Sequence, residues 1–115
     1  MITKEPTMLA DLENPLLSEV ASQLQALGQR HPIRRLEVFG SVARGDATAA
    51  SDLDLLVTLD ESRDVTTDEL LEMAGEAEEL VGRPVDFVIR RSVEQSSNTI
   101  AKNQILNSAV CIYGT

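Results

Sequence analysis

The chain has 115 residues, one cysteine and a formal net charge of −9, and these numbers exclude several classes of protein. The length suits one domain, and no apolar run approaches the roughly 20 residues of a membrane span. With 10 basic residues against 19 acidic ones, the chain lacks the basic face that long nucleic acid requires. One cysteine allows no intrachain disulfide, and the N-terminus has no apolar signal segment, so we expect a cytoplasmic protein.

The first half of the chain is predicted to contain a helix, a short strand and a loop. Asn14 and Pro15 are typical of the N-cap and first residue of a helix, which Gly28 and Pro32 then end. Residues 36–39 predict a short strand. Residues 40–51 are rich in small and turn-forming types, and they predict a loop with one helical turn.

The second half alternates between strands and helices. Leucine and valine alternate with polar residues over 52–59, which predicts a strand with one apolar and one polar face. Thr66 and Glu69 fit a capping box at the start of a helix that Gly82 ends. The remaining predicted elements are a strand at 84–89, a polar helix at 96–108 and a short strand at 109–113.

This order of elements predicts a single α/β (α+β) domain with a small sheet over residues 1–115. Residues 1–10 are expected to be a loosely ordered N-terminus. Between residues 60 and 79 lie nine carboxylates and one arginine, so this stretch carries most of the net charge. We interpret it as a solvated helix face, with docking of a basic partner as the alternative.

Three aspartates are predicted to meet on one face of the sheet. Asp52 and Asp54 are two residues apart on one strand, so their Cα atoms lie about 6.5–7 Å apart. A neighbouring strand at about 4.8 Å can bring Asp86 beside them. Three like charges need a cation between them, and Mg²⁺ binds such oxygens and completes its shell with substrate phosphates. Two such ions can clamp the attacking and leaving oxygens of phosphoryl transfer.

A phosphate-binding turn is predicted upstream of these aspartates. Gly40 and Ser41 directly follow a strand, where glycine lets the backbone approach a phosphate and serine adds a hydroxyl donor. Together with the Asp-x-Asp pattern ten residues later, this turn predicts a site for a metal-bound triphosphate. A Walker P-loop is excluded, because no Gly-Lys-Ser/Thr follows the glycine.

The segment GSVARGDATAASDLDLLV, with Asp86 in PVDFVI, resembles the nucleotidyltransferase fold of the DNA polymerase β superfamily. It is most similar to the minimal nucleotidyltransferase branch, which consists of the catalytic domain alone. The resemblance implies a small mixed β-sheet flanked by helices. The positions that match the signature are Gly40, Ser41, Arg44, Gly45, Ser51, Asp52 and Asp54.

This branch includes antitoxins encoded beside HEPN-domain toxins, which are RNases. The resemblance implies transfer of AMP from ATP to a tyrosine of the toxin, within a hetero-oligomer. It also implies that Gly40 and Ser41 hold the β- and γ-phosphates. Asp52 and Asp54 would bind two Mg²⁺ ions, and Asp86 would bind the second ion and help deprotonate the acceptor hydroxyl.

Three further residues have more than one interpretation, and a fourth has one. Arg44 matches the branch pattern, and either contact with the triphosphate or anchoring of the loop would explain it. Arg90 and Arg91 follow the strand of Asp86, so they serve either surface solubility or contact with the triphosphate or an acidic partner. Cys111 is predicted to pack as a small apolar residue in the last strand.

Two alternative functions stay open. The chain could transfer a nucleotide to a small molecule such as an aminoglycoside, although we expect 115 residues to leave no room for the second domain with which larger relatives grip an acceptor. It could also block a toxin by binding alone, although a pure binding module has no use for three crowded carboxylates.

Overall fold

The computed structural model describes residues 14–62 and 64–114, so the N-terminus at 1–10 lies outside the described residues. No helix in the described ranges is long and apolar enough to cross a membrane. The elements in chain order are α1 (Pro15–Gln23), α2 (Gln25–Arg30), β1 (Ile33–Phe39), α3 (Gly40–Arg44), β2 (Leu53–Leu59), α4 (Thr67–Val81), β3 (Val85–Ile89), α5 (Arg90–Glu94), α6 (Thr99–Ser108) and β4 (Val110–Gly114).

The four strands form one mixed sheet in the order β3-β2-β1-β4. β1 runs antiparallel to both β2 and β4, whereas β3 runs parallel to β2. Parallel neighbours need a crossover connection, and α4 provides it. The predicted α/β class with a small mixed sheet is therefore confirmed.

One face of the sheet packs against α1, α2 and α4. The alternation in β2 places Leu53, Leu55 and Val57 on this face, and all three are fully buried. Val20 of α1 and Leu27 of α2 lie in the same cluster, as their helical spacing predicts. Each such side chain stabilises the fold by about 1.5–3 kcal/mol, so this cluster fixes β2 firmly in the sheet.

The other face of the sheet is not wholly polar, which corrects the prediction for residues 52–59. Phe39 of β1, Leu56 of β2 and Val93 of α5 form a second buried cluster there. Ile105 and Leu106 of α6 pack against it. α5 has only five residues, too few to show the periodicity by which a helix is predicted from sequence.

The predicted start of the first helix and both predicted ends of α4 are confirmed, but the first helix is not continuous to Gly28. It ends at Gln23 with Leu24 as its C-cap, and Gly28 lies buried inside α2, which continues to Arg30. Asn14 caps α1 by accepting a hydrogen bond from the Leu17 amide at 3.1 Å. Thr66 and Glu69 make the reciprocal hydrogen bonds of a capping box at α4. Gly82 ends α4 in the left-handed region, with a φ of +70°.

Two predictions about the strands need correction. β1 begins at Ile33 rather than at residue 36, because Ile33 is buried and pairs with Leu59 despite the two arginines that follow it. Cys111 is exposed rather than packed, because β4 is an edge strand whose first residues are uncovered.

Candidate active site

The turn between β1 and α3 brings a glycine against a carboxylate. Gly40 has a φ of +73°, in the left-handed region that side chains disfavour. A Cβ atom at Gly40 would lie 3.0 Å from Cγ of Asp54 and closer still to its Oδ2. The Asp54 carboxylate therefore occupies space that only glycine leaves open. Val42, fully buried, holds α3 against the core, and Ser41 is half-buried beside it.

The three predicted aspartates lie at one end of the sheet. Asp54 of β2 and Asp86 of β3 are direct register partners on parallel strands, so both side chains are on one face. Phe39, the last residue of β1, pairs with Asp54 from the other side. Asp52 lies just before β2 and, like Asp86, is exposed. This end of the sheet is thus where the Gly40 turn and the carboxylates meet.

Burial and neighbouring negative charge both act on the Asp54 carboxyl. Burial raises the pKa of the Asp54 carboxyl above its ordinary value, and the charges of Asp86 and Asp52 raise it further. The positive charge of Arg44 partly offsets this rise in pKa. No residue in the described part of the chain donates a hydrogen bond to this carboxylate. A carboxylate in this state is a typical ligand for a cation.

The aspartate carboxylates fit Mg²⁺ only if water and substrate phosphates supply the remaining ligands. Within residues 14–62 and 64–114, no group of three or more His, Cys, Asp or Glu is arranged closely enough to hold a metal ion by itself. Mg²⁺ does not need such a cage, because it keeps waters and is bound through one or two carboxylates plus substrate phosphates. The adjacent Asp54 and Asp86 supply those carboxylates. They therefore fit a metal that arrives with a nucleotide.

Arg44 lies at the end of α3, between the loop and the carboxylates. Its Nε is 3.2 Å from Oδ2 of Asp46, and its side chain is 60% exposed. The same guanidinium is near enough to Asp54 to lower the pKa of that carboxyl. Both predicted roles, triphosphate contact and loop anchoring, are compatible with this position.

Arg90 is engaged at the opposite end of the sheet. Its Nη1 donates to Oε1 of Glu37 at 2.7 Å, and its Nε donates to Glu94 at 3.1 Å. Glu37 is only 8% exposed, and Arg35 also lies beside it. A buried carboxylate must be paired, so Arg90 serves the fold rather than solubility alone. Arg91 is exposed and lines a surface depression of about 570 Å³ at this end.

The contacts by which Asn14 and Arg83 support the site escape prediction from the sequence. The Nδ2 atom of Asn14 donates to the carbonyl of Val42 in α3 at 2.8 Å, in addition to capping α1. Nη1 of Arg83 donates to the carbonyls of Ser51 at 3.0 Å and Thr48 at 3.3 Å. These contacts join segments about 30 residues apart, and a pattern among neighbouring residues cannot predict such pairs. The only available signal is the position of Arg83 three residues before Asp86.

Comparison with known proteins identifies relatives of similar size. A nucleotidyltransferase-domain family profile matches residues 20–111. A protein of Methanocaldococcus jannaschii, provisionally named a protein adenylyltransferase, is 30% identical over 94 residues, which cover 82% of this chain and 95% of the relative. The protein adenylyltransferase MntA of Thermococcus cleftensis is 35% identical over 82 residues, which cover 68% of this chain and 81% of the relative.

Solved structures share the fold. One described provisionally as a minimal nucleotidyltransferase is 36% identical, with a TM-score of 0.64, over 85% of this chain and 93% of its own. A toxin–antitoxin complex with AMP-PNP gives a TM-score of 0.65 at 21% identity, over 83% of this chain and 73% of the other. A complex of a tri-AMPylated Shewanella oneidensis HEPN toxin with an MNT antitoxin gives 0.56 at 18% identity, over 84% and 71%. The chain therefore belongs to the nucleotidyltransferase family, beside small relatives named as protein adenylyltransferases.

Proposed function

We propose that this chain is a Mg²⁺-dependent protein adenylyltransferase that acts as an antitoxin. It transfers AMP from ATP to a tyrosine of a cognate cytoplasmic HEPN-domain RNase and so neutralises that toxin. The observation that carries the proposal is the pairing of Asp54 with Asp86 beside the glycine turn at Gly40. The relatives named as protein adenylyltransferases, and the fold shared with an antitoxin bound to an AMPylated toxin, support the same substrates.

The nucleotide is assigned to the Gly40 turn. Glycine lets the backbone approach the β- and γ-phosphates, and the Ser41 hydroxyl adds a hydrogen-bond donor. Arg44 brings a positive charge to the same end of the sheet, where it offsets the charge of the triphosphate. Since Asn14 fixes α3 through the Val42 carbonyl, the turn is held in place before the nucleotide binds.

Asp52, Asp54 and Asp86 are assigned to two Mg²⁺ ions, which when bound neutralise phosphate charge and orient the attacking and leaving oxygens. Asp86 is exposed on the edge strand β3, where an incoming acceptor can reach it. Its carboxylate helps to accept the proton of the tyrosine hydroxyl, which has an ordinary pKa near ~10. The tyrosine oxygen bonds to the α-phosphorus, the bond from that phosphorus to the bridging oxygen breaks, and pyrophosphate leaves.

The acceptor tyrosine comes from another molecule. The sequence contains one tyrosine, Tyr113, in β4. Its ring packs so closely on Gly28 that a Cβ atom there would overlap the ring carbons. Tyr113 thus has a structural partner, and we assign the acceptor to the toxin.

The test is to incubate the chain, ATP and Mg²⁺ with the HEPN-domain protein encoded beside it. Intact mass spectrometry of that protein should show the added mass of AMP, and peptide mapping should place it on tyrosine. Asp54→Asn should give no addition, and Tyr113→Phe should leave transfer unchanged. An unmodified partner under these conditions, or modification of a residue other than tyrosine, would contradict the proposal.

A further inference from the structure

Arg83 joins the two segments that carry Asp52 and Asp86. It lies directly after Gly82, which ends α4, and three residues before Asp86 in β3. Its Nη1 atom donates to the carbonyl of Ser51 at 3.0 Å and to the carbonyl of Thr48 at 3.3 Å. Ser51 immediately precedes Asp52. One guanidinium therefore spans the gap between the loop before β2 and the start of β3.

The segment that Arg83 holds is a compact turn at residues 48–51. The Thr48 amide donates to the Ser51 hydroxyl at 2.9 Å, and the Ser51 amide donates to the Thr48 carbonyl at 3.1 Å. These bonds close the turn on itself but do not fix it to the sheet. Among the described residues, Arg83 provides the only hydrogen bonds that this turn receives from another element. Directly after the turn, the Leu53 amide donates to the Pro84 carbonyl at 2.9 Å, and the β2–β3 ladder begins with the pair of Leu53 and Val85, so the turn itself is held only from Arg83 among the described residues.

We infer that Arg83 is a positioning residue, which locks the 48–51 turn to the start of β3 and thereby fixes Asp52 relative to Asp86. The inference deepens the proposed function and rests on it. Asp52 is exposed, lies outside the strand ladder and carries the same charge as Asp54 and Asp86. Mutual repulsion favours movement of Asp52 away from Asp54 and Asp86, and the hydrogen bonds from Arg83 to its loop limit that movement.

Arginine suits this role better than other cations. Its planar guanidinium presents donors in a fixed fork and can satisfy two carbonyls at once. Lysine has three donors on one ammonium at the end of a flexible stem, so it can keep the charge and part of the hydrogen bonding at higher entropic cost. Methionine keeps the length of the stem and removes every donor. These two substitutions therefore separate the hydrogen bonds from the packing.

The experiment measures ATP binding by titration calorimetry over a series of Mg²⁺ concentrations and in EDTA, with thermal melts in EDTA beside it. Loss of an outer residue that orients metal ligands typically costs about 10- to 100-fold in metal affinity or activity. We expect Arg83→Met to raise the Mg²⁺ concentration that gives half-maximal ATP binding by that factor. ATP binding in EDTA should be unchanged, and the melting temperature should fall only slightly. Arg83→Lys should recover part of the difference. Arg34→Met, at an exposed arginine of β1, is the matched control and should equal the wild type.

Each other outcome overturns the inference. Wild-type Mg²⁺ dependence in Arg83→Met would show that the hydrogen bonds from Arg83 are not needed. If Arg83→Met lost the same amount of ATP affinity with Mg²⁺ as in EDTA, and its melting temperature fell to match, Arg83 would have a general structural role. If Arg83→Met does not fold, Arg83→Lys decides, and a wild-type Mg²⁺ dependence there would reject the inference. Absence of Mg²⁺-dependent ATP binding in the wild type, with Asp54→Asn indistinguishable from it, would reject the proposed function as well.

Discussion

Replacement of Gly40 by alanine should abolish most activity while costing only modest stability. The residue has a φ of +73°, and a left-handed backbone costs an L-residue roughly 1–2 kcal/mol. The new Cβ atom would also lie 3.0 Å from Cγ of Asp54 and overlap Oδ2. The Asp54 side chain must therefore retreat by on the order of 1 Å, and a displacement of that size costs about 100-fold in rate.

Gly82→Ala is the matched control, because it introduces the same backbone strain away from the site. Gly82 has a φ of +70°, and a Cβ atom there would meet nothing within 4 Å. The two variants should lose a similar free energy of unfolding in urea, roughly 1–2 kcal/mol each. Only Gly40→Ala should lose transfer activity, measured as AMP added to the partner over time.

Two results would refute this reasoning. Wild-type transfer by Gly40→Ala would mean that the position of Asp54 does not matter to the reaction. Equal loss of transfer in Gly40→Ala and Gly82→Ala would mean that backbone strain, not the contact with Asp54, causes the defect.

Three further predictions follow from the site. The raised pKa of Asp54 means that its carboxyl group holds a proton more readily in the folded chain than in the unfolded chain. The charged carboxylate therefore destabilises the fold at neutral pH, and this destabilisation is relieved as pH falls through the raised pKa. The melting temperature of Asp54→Asn in EDTA at pH 7 should therefore equal or exceed that of the wild type, and this advantage should disappear in acid. Mg²⁺ and ATP should raise the melting temperature of the variant less than that of the wild type. A melting temperature well below that of the wild type in EDTA would contradict the metal site. Ser41→Ala should reduce the rate of transfer by roughly 10- to 150-fold, because one hydrogen bond to a charged group contributes about 1.5–3 kcal/mol. A loss of transfer as complete as that of Asp52→Asn would give Ser41 a larger role. Asn14→Ala should lower the free energy of unfolding in urea by about 1–2 kcal/mol, because it removes a helix cap and the bond to Val42, and an unchanged value would show that neither bond matters.

The sequence predicts those parts of the fold that depend on local patterns. Alternation predicts the strand of Asp54, and the capping box at Thr66 predicts the start of α4, because neighbouring residues alone produce these signals. The Asp-x-Asp pattern and a later strand suffice to predict that Asp54 and Asp86 can be neighbours. Local reasoning could not find α5, since five residues show no period, and it could not find the buried Glu37.

The long-range polar contacts also lie beyond local reasoning. Arg83 and Ser51 are 32 residues apart, and Asn14 and Val42 are 28 residues apart. Each contact depends on how the sheet and helices assemble, and arginine and asparagine are ordinary surface residues when read alone. The proposed catalytic groups are thus more predictable than the residues that hold them in place.

The most direct test of the central claim is to follow which phosphate of ATP reaches the partner. The chain is incubated with Mg²⁺ and the HEPN-domain protein, with label on the α-phosphate in one reaction and on the γ-phosphate in another. Adenylyl transfer predicts that the partner gains the α-label, gains no γ-label and gains neither label with Asp54→Asn. Transfer of the γ-label, or of no label from either ATP, would contradict the account.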